Sequence, residues 1–205
     1  MEILKSALVL FVTFISISSY GQENEKVLTA FKQSYTFEIT GDYANAIKEI
    51  VSVYSADSYE QNLRLGWLSY EAGKFTESAA YYEKALALKP MSEEARMGIV
   101  YPASALGNWD QVLTNYLKIL ENNSANTTVN YRVGNIYYER KDYTKANSYF
   151  EKVVNLYPFS YDALLMYAWT NLKLGKTREA QVLFNKVLML SPDDKSALEG
   201  LSLIK

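Results

Sequence analysis

Two pairs of adjacent acidic residues, Glu93-Glu94 and Asp193-Asp194, are the side chains in this sequence best suited to acid–base chemistry. Each pair directly follows a serine or a proline that predicts the start of a helix, where attraction to the positive end of the helix dipole explains the acids. The chain contains no histidine and no cysteine, so imidazole bases, thiolate nucleophiles, disulfides and conventional zinc sites are excluded. We therefore predict a protein that is not an enzyme and needs no metal or cofactor.

A column of mostly aromatic residues indicates a different chemistry, that of binding. Its members Trp67, Tyr101, Asn135 and Trp169 are spaced by 34 positions at every step. Tyr35 is the counterpart in a first copy that is two residues shorter. Regular spacing over so many residues indicates a repeated helix that presents the same position each time.

Side chains three positions before and after this column extend the candidate surface, because residues i and i+3 are neighbours on a helix. Arg64 precedes Trp67 by three positions, and Tyr70 follows it by three. Aromatic rings beside guanidinium groups could bury apolar side chains of an extended peptide and hold its carboxylate or carbonyl oxygens. The candidate partner-binding residues are Tyr35, Arg64, Trp67, Tyr70, Tyr101, Arg132, Asn135, Tyr138 and Trp169.

Two plainer interpretations of these residues stay open. Aromatic residues at helical spacing more often pack in a core than contact a ligand, and this chain has 18 tyrosines. Arg64 and Arg132 could instead form solvated ion pairs with neighbouring glutamates.

The elements that must position these side chains repeat with a period of 34. Pro90, Pro158 and Pro192 are separated by 68 and 34 residues. Two further columns follow the same interval and lie four positions apart, which places them on one helical stripe. The columns are Ser78, Val112, Ala146 and Ala180, which are mostly small, and Tyr82, Tyr116, Phe150 and Phe184, which are aromatic. Each repeat therefore predicts two helices, the second of which packs its stripe against its neighbours.

Residues 65–90, LGWLSYEAGKFTESAAYYEKALALKP, resemble the tetratricopeptide repeat in the Leu-Gly of the first helix, the Gly-Lys-Phe turn and the terminal proline. The resemblance implies an all-α fold, a right-handed superhelix of antiparallel helix pairs with a C-terminal capping helix. It implies a domain over residues 22–205, with units at about 23–58, 59–92, 93–126, 127–160 and 161–194 and the capping helix over 194–205. It also implies that the first helices line a concave groove that holds a peptide or a partner protein.

Three local features add expectations to this frame. Ser191 and Pro192 predict the cap and the first position of the capping helix. Pro102 falls inside a first helix, where it predicts a kink that Gly98 would ease. The stretch 121–128 lacks the terminal proline and predicts a looser junction between units.

The first 21 residues have the layout of a signal peptide. Lys5 precedes an apolar stretch over residues 7–17, and small residues end at Gly21, after which we predict cleavage. The apolar stretch is shorter than the ~20 residues that span a bilayer comfortably, which favours cleavage over the alternative, an N-terminal membrane anchor. We therefore expect a periplasmic or secreted protein with no stable membrane span.

These patterns predict a non-catalytic scaffold of the bacterial cell envelope whose partner is a protein or peptide. The net charge of −2 and the absence of long runs of like charge argue against a nucleic-acid partner. The alternative is a structural module that assembles into a homo-oligomer and leaves its groove empty. The oligomeric state and the identity of the partner are left open.

Overall fold

The computed structural model describes residues 24–204, and every regular element within that range is a helix. The helices are α1 (24–39), α2 (Tyr43–Val51), α3 (Tyr59–Glu71), α4 (Phe75–Leu88), α5 (Glu93–Ala105), α6 (Trp109–Asn122), α7 (Thr127–Glu139), α8 (Tyr143–Leu156), α9 (Tyr161–Lys173), α10 (Thr177–Leu190) and α11 (Lys195–Ser202). The all-α fold predicted from the sequence is confirmed. The predicted signal peptide lies outside the described residues.

The chain forms two compact units, the first ending at Leu106 and the second beginning at Gly107. In the first unit α3 packs on α2 and α4, and α4 packs on α5. Because α3 also contacts α5, the first helices of successive pairs lie side by side. In the second unit each helix from α6 to α11 packs on the next, and α9 contacts both α7 and α11. The helix α11 therefore takes the place of the first helix of a further pair.

Three-residue turns join the two helices of each pair, and the central residue of each turn has a positive φ. These central residues are Gly41, Gly73, Gly107, Lys141 and Gly175, with φ between 60° and 75°. After α3, the N–H of Lys74 donates to the carbonyl of Ser69 at 2.8 Å and the N–H of Gly73 donates to that of Tyr70 at 2.9 Å. These bonds satisfy carbonyls that the end of the helix leaves unpaired, which requires a residue able to adopt the left-handed conformation. Only Lys141 departs from glycine there.

The periodic prolines lie in four-residue turns that connect one pair of helices to the next. In the last of these turns the N–H of Asp194 donates to the carbonyl of Ser191 at 3.1 Å, with Pro192 in the second position. Asp194 caps α11, and its carboxylate accepts from the N–H of Ala197 at 2.7 Å. The expectation that Ser191 caps this helix is wrong, because the fixed φ of proline suits the second position of a turn.

The junction between α6 and α7 forms the same turn without a proline. The N–H of Asn126 donates to the carbonyl of Asn123 at 3.1 Å, and the Asn126 side chain caps α7 by accepting from the N–H of Val129 at 3.0 Å. Four residues separate α6 from α7, the same number as separate α4 from α5. The junction expected to be looser is therefore no longer than its counterparts.

Aromatic rings on the second helices fill the core, and glycines on the first helices make room for them. Tyr82, Tyr116, Phe150 and Phe184 are each no more than 6% exposed. A Cβ atom added to Gly98 would lie 2.2 Å from a ring carbon of Tyr82, closer than atoms can pack. The close glycine–ring contacts are those of Gly66 and Gly98 with Tyr82, of Gly134 with Phe150, and of Gly200 with Phe184.

Helix α5 continues through Pro102 to Ala105, and the carbonyl of Pro102 accepts from the N–H of Leu106 at 2.9 Å. Pro102 itself is buried. Gly98, which the sequence suggested would ease a bend at Pro102, has a different role here, because the ring of Tyr82 occupies the space beside it.

Candidate partner-binding surface

The candidate residues lie on the first helices of both units. In the first unit Tyr35 lies on α1, Tyr101 lies on α5, and Arg64, Trp67 and Tyr70 lie on α3. The structure brings these five side chains together through ring contacts and one shared network of hydrogen bonds.

Three of them form an aromatic cluster, which we define as Trp67, Tyr70 and Tyr101. The ring centroids are 6.0 Å apart for Trp67 and Tyr70, 6.1 Å for Trp67 and Tyr101, and 5.4 Å for Tyr70 and Tyr101. Tyr101 remains 42% exposed, and the other two rings are half-buried. The cluster thus presents partly open aromatic surface that spans the adjacent helices α3 and α5.

Arg64 forms an ion pair with a glutamate, one of the interpretations left open from the sequence, but the pair is buried within a hydrogen-bond network and is not solvated. Its Nε and Nη2 atoms donate to the hydroxyl of Ser34 at 3.1 and 3.0 Å, and its Nη1 lies 2.5 Å from a carboxylate oxygen of Glu38. The other carboxylate oxygen of Glu38 accepts from the indole N–H of Trp67 at 2.5 Å. The guanidinium carbon lies 3.8 Å from the ring centroid of Tyr35. Arg64 is only 6% exposed, and its charge is neutralised by Glu38 within the protein.

A cleft of about 610 Å³ opens beside this network, and we call it the first-unit cleft. It is lined by Phe31, Tyr35, Glu38, Tyr59, Glu60, Leu63, Arg64, Trp67 and Glu94. The hydroxyl of Tyr59 donates to Glu94 at 3.1 Å and lies 2.6 Å from the hydroxyl of Ser92. Burial, the largest cause, raises the pKa of Tyr59 above its ordinary value, so this hydroxyl keeps its proton at neutral pH.

In the second unit the four candidate residues do not share one cleft. Arg132 is exposed and lines a separate cleft of about 940 Å³ with Asp162 and the loop after α8, whereas Asn135, Tyr138 and Trp169 do not line it. Asn135 is half-buried on α7. The ring of Tyr138 packs 5.3 Å from that of Tyr143 on α8.

Trp169 is held by the core and by the capping helix. Its indole N–H donates to the hydroxyl of Ser196 on α11 at 2.9 Å. Its ring packs edge-on against Phe184 with 5.3 Å between centroids. These contacts give Trp169 a packing role in the end of the second unit.

Exposed apolar residues near the α8–α9 loop form a feature that the candidate set did not include. Leu156, Tyr157 and Phe159 are 53%, 59% and 62% exposed, and all three line the cleft of Arg132. The sequence signal that could have found them is the dense apolar run LYPF at residues 156–159.

Helix pairs that recur along the chain with a left-handed residue at each turn define a helical-repeat protein. Family models of the tetratricopeptide repeat match residues 63–100 and 137–202, and the chain belongs to this family. Its members are generally non-catalytic scaffolds for protein–protein interaction.

Solved structures show the same fold at low sequence identity. A tetratricopeptide repeat protein from Parabacteroides merdae ATCC 43184 is 22% identical with a TM-score of 0.74, over 87% of this chain and 72% of that one. The protein MamA is 20% identical with a TM-score of 0.70, over 81% of this chain and 92% of that one. No curated protein matches the chain.

Within residues 24–204, no helix combines the length and the apolar character needed to cross a bilayer. The same residues contain no group of three or more acidic side chains arranged to hold a metal ion.

Proposed function

We propose that this chain is a non-catalytic adaptor of the bacterial cell envelope that holds an extended peptide, or a segment of a partner protein, against its first helices. The observation that carries the proposal is the aromatic cluster. Tyr101 is 42% exposed, whereas the core ring Tyr82 is 4% exposed. Open aromatic surface beside a cleft is typical of sites that anchor partner side chains.

The positions of the paired acids support a non-catalytic role. Glu93 and Glu94 lie in the first turn of α5, which Ser92 caps, and Asp194 is the cap of α11. Both pairs thus lie at helix starts, where the positive end of the helix dipole stabilises their negative charge.

The envelope location rests on the N-terminal sequence. Lys5, the apolar stretch over 7–17 and the small residues before Gly21 support export, and cleavage after Gly21 would leave all of residues 24–204 in the mature protein. N-terminal sequencing of the protein from a periplasmic fraction tests this, with Gln22 expected as the first residue. Recovery of uncleaved chain in the membrane fraction would favour the anchored alternative.

Substitution of Tyr101 by alanine tests the adaptor role. We expect Tyr101→Ala to weaken capture of partners from an envelope fraction by about tenfold, the scale of an aromatic anchor in an interface. Trp109→Ala removes a ring that is 52% exposed, against 42% for Tyr101, from the second unit and outside both clefts, and is the control. Helicity and melting temperature should be unchanged in both variants, and equal capture by both would contradict the proposal.

A second candidate function is self-assembly, and the exposed Leu156, Tyr157 and Phe159 favour it. Contiguous exposed apolar residues often mark contacts between proteins. Light scattering separates the candidates, because a dimer that Phe159→Ala converts to a monomer would support self-assembly through the second unit.

A further inference from the structure

The first-unit cleft carries more negative than positive charge. Its lining contains three carboxylates, Glu38, Glu60 and Glu94, and one cation, Arg64. Arg64 pairs with Glu38, so these two cancel each other. Glu60 and Glu94 are left, and their two charges face a cleft whose other walls are largely aromatic. This balance is the opposite of what a site for a peptide carboxylate requires.

Neither remaining carboxylate is firmly neutralised. Glu94 accepts a hydrogen bond from the hydroxyl of Tyr59. Among residues 24–204, no lysine or arginine nitrogen lies within ion-pairing distance of Glu94. Glu60 lies 3.5 Å from Lys89, but both side chains are more than half exposed. Exposed ion pairs of this kind contribute little and exchange readily with other partners.

The rings of the cleft already attract cations of the protein itself. The ammonium nitrogen of Lys89 lies 3.9 Å from the ring centroid of Tyr59, and the guanidinium of Arg64 lies over the ring of Tyr35. Cations are drawn to the faces of aromatic rings, and nearby carboxylates strengthen that attraction. The cleft therefore combines both features that select a positively charged side chain.

We propose that the first-unit cleft binds the cationic side chain of an arginine or lysine in an extended protein segment. This inference rests on the proposed adaptor function and adds the chemistry of the bound segment. Trp67 belongs both to the cleft and to the aromatic cluster, so an apolar side chain of the same segment packs on Tyr70 and Tyr101. Packed helices lie about 8–10 Å apart and an extended chain advances about 3.3 Å per residue, so the two side chains are about three residues apart.

A set of fluorescent decapeptides tests the charge preference in the full chain. Each peptide carries one leucine and, three positions away, one variable residue, which is arginine, lysine, norleucine or glutamate; the other positions are serine and glycine. Fluorescence anisotropy at low salt gives each dissociation constant. We expect the arginine peptide to bind about tenfold more tightly than the norleucine peptide and the glutamate peptide to bind most weakly. Added salt should reduce this preference.

The double variant Glu60→Gln/Glu94→Gln should abolish the preference for arginine over norleucine and leave the binding of the norleucine peptide unchanged. Glu77→Gln/Glu179→Gln is the matched control, because these acids also lie in first helical turns, are exposed, and are outside the cleft. It changes the net charge equally and should keep the preference. Thermal melting checks that both double variants fold.

The outcomes separate this inference from the proposed function. Equal binding of the arginine and norleucine peptides, or a preference that survives in Glu60→Gln/Glu94→Gln, would overturn the cationic site and leave peptide binding intact. Failure of every peptide to bind would overturn the cationic site and the groove together. Tight binding of the glutamate peptide would restore Arg64 as a ligand for carboxylates and reject the inference.

Discussion

Glu38 pairs with Arg64 and so removes the free positive charge that a carboxylate-binding surface would need. Counted from the left-handed residue of each turn, Glu38 occupies the position of Tyr70 and Tyr138 in the other repeats. A carboxylate in a column that is elsewhere aromatic or neutral is a signal that the sequence contains. Its pairing with Arg64 is not visible from the sequence, since it depends on how α1 packs beside α3.

The buried pair of Arg64 and Glu38 leads to a prediction about stability. Glu38→Ala would leave the guanidinium of Arg64, 6% exposed, without its counter-ion and would remove the acceptor of the Trp67 indole. We expect the free energy of unfolding to fall by about 3 kcal/mol, at the lower end for a broken buried pair because Glu38 is itself 22% exposed. Urea denaturation measures the change.

A surface ion pair provides the control for this prediction. Arg140 lies 2.8 Å from Asp110, but the two side chains are 39% and 88% exposed. Asp110→Ala should therefore cost about 1 kcal/mol or less. Equal losses in Glu38→Ala and Asp110→Ala would show that burial does not strengthen the Arg64 pair.

The packing of one helix on another depends on contacts that the period of 34 predicts only in part. The aromatic column on the second helices is buried, as its helical stripe predicts. The reason for Gly98 was missed, because its close contact with the ring of Tyr82 joins α5 to α4 and has no local sequence signal. The periodic prolines were correctly predicted to mark boundaries between repeats. Pro192 was also predicted to be the first residue of the capping helix, whereas it lies in the turn before that helix. The same residue types favour a helix start and a turn, so the sequence does not separate the two.

Substitution of Gly98 tests the packing of α5 on α4. Replacement of a glycine inside a helix by alanine usually raises the free energy of unfolding by about 1 kcal/mol. In Gly98→Ala the new Cβ would meet the Tyr82 ring at 2.2 Å, so we expect a loss of about 1–3 kcal/mol instead. In a Tyr82→Leu background the same change should be neutral or stabilising. Thermal unfolding of the four proteins in this cycle measures the coupling, and a gain from Gly98→Ala alone would contradict it.

For the molecule as a whole, stability in repeat proteins is built from contacts between neighbouring elements, so damage at one end is expected to stay near that end. The capping helix α11 is held by Ser196, which accepts from Trp169, and by Asp194, which accepts from the hydroxyl of Tyr161 as well as capping the helix.

The hydrogen bond from Tyr161, the largest cause, lowers the pKa of Asp194 below its ordinary value of 3.8. The stabilisation from this lowered pKa is therefore present above about pH 4 and is lost as the pH falls through the lower, folded-state value.

Acidification should consequently release α11 and then expose α9 and α10, on which it packs. Helix α6, which Asn108 caps, should keep its protection, because an amide cap does not titrate. Hydrogen exchange across a pH series, corrected for the intrinsic exchange rate, measures this order. Asp194→Asn is the control, since its amide cannot lose a charge, and α11 should be less protected in it at neutral pH and should lack the added loss that titration of Asp194 produces. Simultaneous loss of protection in α6 and α11 would contradict this order and show that these helices unfold together, so that the capping helix supports more than its neighbours.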